Sequence, residues 1–331
     1  MNIKNKVKIM ENLTEEMLDV LHLQLGDNII GEETILGDEL QETPLDLQQI
    51  RIDYQQSTLF WNQDGPEMEQ CVDVAVPFRD AAINCRLYYP KQRDNAGCLF
   101  FLHGGGFIVG NLETHDRMMR LFAQESGCLV IGVDYMLSPE AKFPQAIMET
   151  VAAIDYFRAQ AKHYGFSPES IGLAGESAGA HLALASYLWL RDHNVETDYV
   201  KAMLLYYGFY GLRDSRTRRL YGGAWDRLGE EDLAFYEEMY LASPQDRLSP
   251  YYCLFNNSLT ERMPAFYIGA CEFDPLCDDS ETLAVMLEDK GIPCEYQMYP
   301  GVLHGFLHNS KIMDAPLEAI SEGCHFFNAN C

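Results

Sequence analysis

The stretch 171–180 contains Gly175-Glu176-Ser177-Ala178-Gly179 between an apolar run and a helical pattern. A Gly-x-Ser-x-Gly in this setting is typical of a nucleophile elbow, a sharp strand-to-helix turn that projects the serine hydroxyl from the edge of a sheet. Its glycines leave room for close backbone approach. The same five residues also occur in simple packing turns of small residues, so their interpretation depends on the rest of the chain.

Strand and helix patterns alternate on both sides of this turn. Repeated β-α pairing specifies a mostly parallel sheet with helices on both faces. A hairpin is also predicted, from two strand patterns joined at Arg79-Asp80. The predicted strands are 70–78, 81–89, 98–102, 129–134, 170–174, 202–207, 265–270 and 294–299. The predicted helices are 13–25, 45–61, 114–124, 144–164, 178–191, 280–290 and 315–328.

We predict one α/β domain over residues 1–331, because a chain of this length can bury one large core. The β-α order breaks at about 209–257, where arginines, Trp225 and other aromatic residues cluster. Together with about 1–65, this insertion is predicted to form a helical cap. Such a cap would cover the carboxyl end of the sheet, where open α/β folds bind ligands.

Composition excludes several classes of protein. With 24 Lys+Arg against 50 Asp+Glu, the formal net charge of −26 disfavours binding to nucleic acid or to an anionic membrane. No apolar run reaches the roughly 18 residues of a membrane span, and the N-terminus lacks the apolar segment of a secretory signal. The ten cysteines are scattered without a C-x-x-C pair, several lie inside apolar runs, and they are expected to be reduced core residues. These features predict a cytoplasmic protein.

A serine hydroxyl is a weak nucleophile at neutral pH, so Ser177 needs a general base and the base needs an orienting carboxylate. In α/β-hydrolases both follow the serine in sequence, at the ends of strands. His304 is the predicted base, since it follows a predicted strand, and His308 is the alternative. Asp274 is the predicted carboxylate, after the strand 265–270.

Other ionisable residues near these positions have simpler expected roles. His181 lies one turn beyond the serine on the elbow helix and is expected to pack or to form a hydrogen bond there. Glu272, Asp278 and Asp279 flank the predicted carboxylate and are expected to be solvated or helix-capping acids.

His103-Gly104-Gly105-Gly106 follows the buried strand 98–102, and three consecutive glycines suit neither a strand nor a helix interior. A loop of this type supplies an oxyanion-hole amide in this class of hydrolase, next to the amide after the nucleophile. We predict donation from Gly105, Gly106 and Ala178, with Gly104 shaping the turn. The His103 side chain is expected to orient the loop without transferring protons.

The chain resembles the hormone-sensitive-lipase-like family of α/β-hydrolases. Its elbow is similar to the family's G-[DE]-S-A-G, and Asp134-Tyr135-Met136-Leu137-Ser138-Pro139-Glu140 is similar to its D-Y-x-L-x-P-E block. The resemblance implies an α/β-hydrolase fold, action on short-chain acyl esters and no cofactor. Glu176 stands where Asp is common, which is expected to change only a supporting contact.

The residues together predict a serine carboxylesterase that uses Ser177, His304 and Asp274 on a small acyl ester and requires no metal. A rival interpretation is that the hydrolase body mainly binds or regulates a partner protein through its acidic surface or its insertion. A complete set of catalytic groups argues against pure binding, because docking does not need it. The sequence leaves open a homo-oligomer or a regulatory protein partner.

Overall fold

The computed structural model describes residues 8–25, 46–193, 195–223 and 226–331. Its centre is an eight-stranded sheet in the order β1-β2-β4-β3-β5-β6-β7-β8. The strands are β1 Met68–Phe78, β2 Ala81–Pro90, β3 Cys98–Leu102, β4 Leu129–Asp134, β5 Ile171–Glu176, β6 Val200–Tyr206, β7 Ala265–Phe273 and β8 Cys294–Leu303. All eight predicted strands are confirmed, with ends that differ by a few residues.

The sheet is mostly parallel. Strand β2 pairs antiparallel with β1 and β4, and β1 and β2 form the predicted hairpin. The remaining neighbours, from β4 through β3 and β5 to β8, pair in parallel. The carboxyl ends of β3, β5, β7 and β8 therefore meet at one edge, and the loops that carry the predicted site residues leave from that edge. The predicted α/β-hydrolase fold class is confirmed.

Ten α-helices lie within the described residues: α1 Glu15–Leu25, α2 Leu47–Thr58, α3 Asp116–Ser126, α4 Gln145–Ala159, α5 Ala161–Tyr164, α6 Ala178–Asp192, α7 Arg216–Leu220, α8 Glu230–Tyr240, α9 Cys277–Asp289 and α10 Ala315–Asn330. The predicted helix 144–164 is in fact two helices, because Gln160 leaves the helical conformation at φ −113° and ψ 18°. Residue 45, the predicted start of α2, lies outside the described residues.

Two hydrophobic clusters pack on opposite faces of the sheet. Strand β3 shows the division, because Phe100 and Leu102 belong to one cluster whereas Leu99 and Phe101 belong to the other. This alternation is expected for a central strand covered on both faces. Helices α4, α6 and α9 contribute to the first cluster, and α3 and α10 contribute to the second. The core thus holds the strand ends at the site edge in a fixed register.

Asp279 corrects the expectation of a solvated or capping acid. It is fully buried, and its Oδ1 accepts hydrogen bonds from the amides of Tyr210, Gly211 and Leu212 at 2.7, 2.8 and 3.1 Å. Burial raises its pKa to about 6, against the lowering effects of Arg218 and these amides. The carboxylate therefore anchors the first residues of the segment 209–257 to α9.

The prediction that the cysteines are core residues is only partly confirmed. All ten are free thiols in the described residues, and most are buried or half-buried, but Cys71 and Cys331 are exposed. Among the helices that the structure describes, none has the length and apolar character needed to cross a membrane.

Candidate active site

Ser177 occupies a strained turn between β5 and α6. Its φ of 53° and ψ of −121° lie where residues with a side chain are rarely found, and its amide donates to the Tyr206 carbonyl at 2.9 Å. A Cβ on Gly175 would lie 2.5 Å from the Gly179 backbone, and one on Gly179 would overlap the Leu102 carbonyl. Both glycines are therefore required by the close approach of α6 to the sheet.

The three residues of the predicted triad lie in one hydrogen-bonded chain. Ser177 Oγ–H donates to His304 Nε2 over 2.8 Å, and His304 Nδ1–H donates to Asp274 Oδ2, also over 2.8 Å. Asp274 is fully buried just after β7, and its Oδ1 accepts from the Leu276 amide at 2.8 Å. Since a carboxylate can only accept, this network places the proton of neutral His304 on Nδ1 and leaves Nε2 as a base.

The environment of His304 sets its basicity. Burial lowers the pKa of the imidazole, but the negative charge of Asp274 and its hydrogen bond raise it, with smaller contributions from Glu176 and Asp226. The net result is a pKa above the ordinary value of 6.5. The edge of the Tyr207 ring, 4.8 Å away between centroids, further limits the orientations open to the imidazole. The arrangement can therefore take a proton from Ser177 and stabilise the resulting imidazolium.

His308 lies elsewhere in the cleft, although it was the alternative candidate base. Its ring packs edge-on against His115 with centroids 4.6 Å apart, and burial lowers its pKa to about 3. Among the described residues, His304 is the histidine that hydrogen-bonds to the serine hydroxyl. His181 packs against Phe209, and its Nδ1–H donates to the Phe209 carbonyl at 3.0 Å.

The glycine loop lies beside the elbow. Gly105 and Gly106 have φ values of 109° and 58°, in the region that glycine adopts without strain. Within the described residues, their amides donate to no backbone or side-chain acceptor. The amide of Ala178 is at the first position of α6, where a helix offers no internal partner. These three amides thus remain available to a ligand.

His103 and Gly104 have different surroundings from the next two glycines. The Gly104 amide donates to Glu176 Oε1 and so is already occupied. The buried His103 ring stacks on Tyr135 at 4.3 Å, and its Nδ1 bonds to the Gly104 carbonyl at 2.8 Å. Burial and the neighbouring His115 lower the pKa of His103 to about 3. A ring held neutral in this way can brace the loop but does not exchange protons near pH 7.

Glu176 has a larger structural role than the sequence analysis expected. Besides accepting from Gly104, its buried Oε1 lies 3.1 Å from His115 Nε2, so it connects β5 to the glycine loop and to the residue before α3. The sequence indicated this role only through an acidic residue directly before the serine. Its partner His115 could not be identified from the sequence, because it lies 61 residues away in the chain.

A cleft of about 720 Å³ opens onto these residues. Ser177, His304, Gly105 and Gly106 line it, together with residues of α1, α2 and the segment 209–257. Among the lining residues, sequence reasoning missed Asp226, whose Oδ1 accepts from the amides of Gly223 and Leu228 at 2.8 and 3.1 Å. Burial raises the pKa of Asp226 to about 6. The cleft volume lies within the range of small-molecule sites.

One cluster in the cleft wall has the composition of a metal site. Ligand atoms of His115, Glu176 and His308 all lie within 4.8 Å of one another. It is separate from the hydrogen-bonded chain of Ser177, His304 and Asp274.

The chain belongs to the α/β hydrolase fold family, whose model matches residues 99–308. This match covers the glycine loop, the elbow and the residues at 274 and 304, and it confirms the predicted resemblance at the level of the family.

The relatives are esterases by name. An acetyl esterase of Salmonella typhi is 48% identical over 332 residues, which cover 99% of this chain and 98% of that protein. The solved structure of a hyperthermophilic esterase from the archaeon Pyrobaculum calidifontis superposes with a TM-score of 0.84 at 29% identity, covering 96% of this chain and 98% of that one. An ester-hydrolase from the metagenome of Lake Arreo superposes with a TM-score of 0.85 at 25% identity, with the same coverage of both chains.

Proposed function

We propose that this chain is a serine carboxylesterase that hydrolyses short-chain, acetyl-type esters. The observation that carries the proposal is the chain of two 2.8 Å hydrogen bonds from Ser177 through His304 to Asp274, built on a strained elbow. His304 takes the serine proton as Ser177 attacks the acyl carbonyl, and Asp274 stabilises the imidazolium. His304 then protonates the departing alcohol, and a water activated by the same base releases the acid.

The negative charge that develops on the carbonyl oxygen needs donors that are already in place. In this proposal the amides of Gly105, Gly106 and Ala178 supply them, supported by their lack of intramolecular acceptors among the described residues. Gly104 and His103 act indirectly, by holding the loop against Glu176 and Tyr135. One donor of this kind contributes about 2.7–4 kcal/mol to transition-state stabilisation in a protease.

The preference for short acyl groups rests on the relatives and on the aromatic residues beside the serine. The Salmonella typhi relative is named an acetyl esterase and matches nearly the whole chain. Phe107, next to the glycine loop, stacks on Tyr240 with centroids 3.8 Å apart and packs edge-on to His181. A rigid aromatic wall at this position favours a small acyl group, and the remaining cleft volume can hold the alcohol portion.

We also propose that two segments, about 1–65 and about 209–257, form a cap over a single hydrolase domain. Met17 and Leu21 of α1, Tyr54 of α2 and Tyr236 of α8 line the cleft opposite the sheet edge. An ion pair between Arg51 and Glu140, 2.7 Å long, fastens α2 to the body. Residues 1–7, 26–45 and 224–225 of this cap lie outside the described residues.

The first test removes the nucleophile and each candidate base. Ser177→Ala and His304→Ala are expected to lower kcat/KM for 4-nitrophenyl acetate by about 10⁴-fold or more, since members of a triad act as a unit. His308→Ala is the matched control at the other candidate position and should retain far more activity than His304→Ala. Thermal melting must show folded variants. Full activity in folded Ser177→Ala would refute the proposal.

The second measurement concerns the acyl group. Rates across nitrophenyl esters with two to twelve acyl carbons should be highest for the shortest chains if Phe107, which lines the cleft with Ser177 and is held by its stacking on Tyr240, limits the acyl site. Phe107→Ala should move the optimum to longer chains. A maximum at long chains in the unaltered protein would overturn the acetyl-type assignment while leaving the esterase assignment in place.

A further inference from the structure

The cluster of His115, Glu176 and His308 brings three potential metal ligands together, with one ligand atom from each residue within 4.8 Å of the other two. Thr114 Oγ1 lies 2.9 Å from the Asn111 carbonyl, and the same oxygen lies 2.9 Å from His115 Nδ1. The single hydroxyl proton can go to either acceptor. With it on the Asn111 carbonyl, His115 Nδ1–H donates to Thr114 and the lone pair of the neutral ring is on Nε2.

In this tautomer the lone pair faces a carboxylate oxygen. His115 Nε2 lies 3.1 Å from Glu176 Oε1, and both groups are buried, with His115 at 0% and Glu176 at 2% exposure. With Nε2 protonated these two atoms form a hydrogen bond, and with Nε2 unprotonated they are two adjacent ligands for a cation.

His308 supplies the third group. Within the described residues its ring nitrogens make no hydrogen bond, and one of them lies within 4.8 Å of the ligand atoms of His115 and Glu176. A tetrahedral ion with bonds of about 2.0–2.2 Å places its ligands about 3.3 Å apart. The 3.1 Å contact between His115 and Glu176 is close to that spacing, and His308 needs to move by at most about 1.5 Å.

We propose that His115, Glu176 and His308 bind one Zn²⁺ per chain. Two imidazoles and one carboxylate suit zinc and other late transition metals, whereas Mg²⁺ and Ca²⁺ prefer sets of oxygen ligands. Glu176 and His308 both face the cleft, so a water from the cleft completes the tetrahedron. The ion joins the end of β5, the residue before α3 and the turn after β8. It takes no part in the proposed hydrolysis.

The test uses Co²⁺ as a spectroscopic probe and Zn²⁺ as its competitor. The protein carries Cys71→Ser and Cys331→Ser to remove its two exposed thiols, and is freed of metal by dialysis against a chelator. We expect one Co²⁺ per chain, with visible absorption of a tetrahedral ion and no intense thiolate-to-cobalt band. Zn²⁺ should displace it and raise the melting temperature, because it binds only the folded chain.

Variants decide where the ion binds. His308→Ala and Glu176→Gln should weaken binding by more than about 100-fold, since even groups behind metal ligands contribute 10- to 100-fold. His325→Ala, on the exposed face of α10, should leave binding unchanged. His308 is only partly buried, so its removal provides a test even if a change at His115 prevents folding. Lack of stoichiometric binding, or binding that survives His308→Ala, would overturn the proposal.

Two further variants separate this site from the proposed triad. Ser177→Ala and His304→Ala should still bind one ion, because neither residue belongs to the cluster. Loss of the ion in His304→Ala would place the metal on the triad base and refute the site. An active Ser177→Ala protein would refute the esterase mechanism alone, so the two proposals can fail independently.

Discussion

At the scale of single residues, the balance of burial and charge around His304 makes a prediction about pH. Only the neutral imidazole can accept the serine proton, so kcat/KM should fall tenfold per pH unit below the pKa of His304. Because that pKa is raised above 6.5, the fall should begin above this pH. The measurement is kcat/KM for 4-nitrophenyl acetate against pH, at constant ionic strength.

Asp274→Asn tests the cause of that shift. Without the carboxylate charge, burial dominates and lowers the pKa of His304, so the fall in kcat/KM at acid pH should move to lower pH. Activity should also drop by about 10⁴-fold, because the wrong tautomer of His304 is favoured. Glu272→Gln is a suitable control, since that carboxylate accepts from the Gly301 amide at 2.8 Å and is not bonded to His304. If kcat/KM of Asp274→Asn fell at the same pH as in the unaltered protein, the pairing of Asp274 with His304 would not be what sets the pKa of His304.

The roles of some residues could be predicted from the sequence, and those of others could not. Ser177, Asp274 and His304 could be proposed from their order and from the strands before them, and the structure brings all three together. Glu176 could not be understood in this way, because its function depends on His115, which is distant in sequence. Asp279 was misjudged for the same reason: its three partner amides belong to a loop about 70 residues earlier.

At the scale of elements, the approach of α6 to β3 positions the nucleophile. A Cβ on Gly179 would meet the carbonyls of Leu102 and His103, which are backbone atoms that no rotamer change can move. Gly179→Ala should destabilise the chain by about 1–3 kcal/mol, as overpacking does. It should also lower kcat/KM, because α6 must shift away from the loop. Urea unfolding and ester hydrolysis measure the two effects.

Gly291→Ala is the matched control for that substitution. Its added Cβ meets nothing within 4 Å, so it carries only the strain of a left-handed backbone at φ 68°. This variant should lose some stability and keep its activity. If Gly179→Ala were as stable and active as the unaltered protein, the close packing of α6 would not be what holds the elbow.

The elements themselves were well predicted where hydrophobic periodicity is strong. Strands β3 to β7 could be identified because each is a short apolar run between helical patterns, whereas the first half of β8 alternates half-buried and exposed residues. The break at Gln160 was not predictable, because Ala161 on the far side of it continues the apolar face of α4. Hydrophobic periodicity over a short stretch does not show where a helix is interrupted.

At the scale of the whole molecule, the proposed cap comes from two distant parts of the chain. The sequence could indicate that segments 1–65 and 209–257 depart from the α/β order, but not the volume of the cleft that their described residues line. That volume depends on contacts such as the ion pair between Arg51 and Glu140, across 89 residues of sequence. Substrate choice is therefore the property least accessible from sequence.

The central claim is that Ser177 is the acyl-accepting nucleophile, activated by His304. The most direct measurement is reaction with an aryl phosphonate, followed by intact-mass and peptide mass spectrometry. We expect one adduct per chain, located on Ser177, that forms in parallel with the loss of esterase activity and forms far more slowly in His304→Ala. An adduct on a different residue, or full activity after stoichiometric labelling of Ser177, would contradict it.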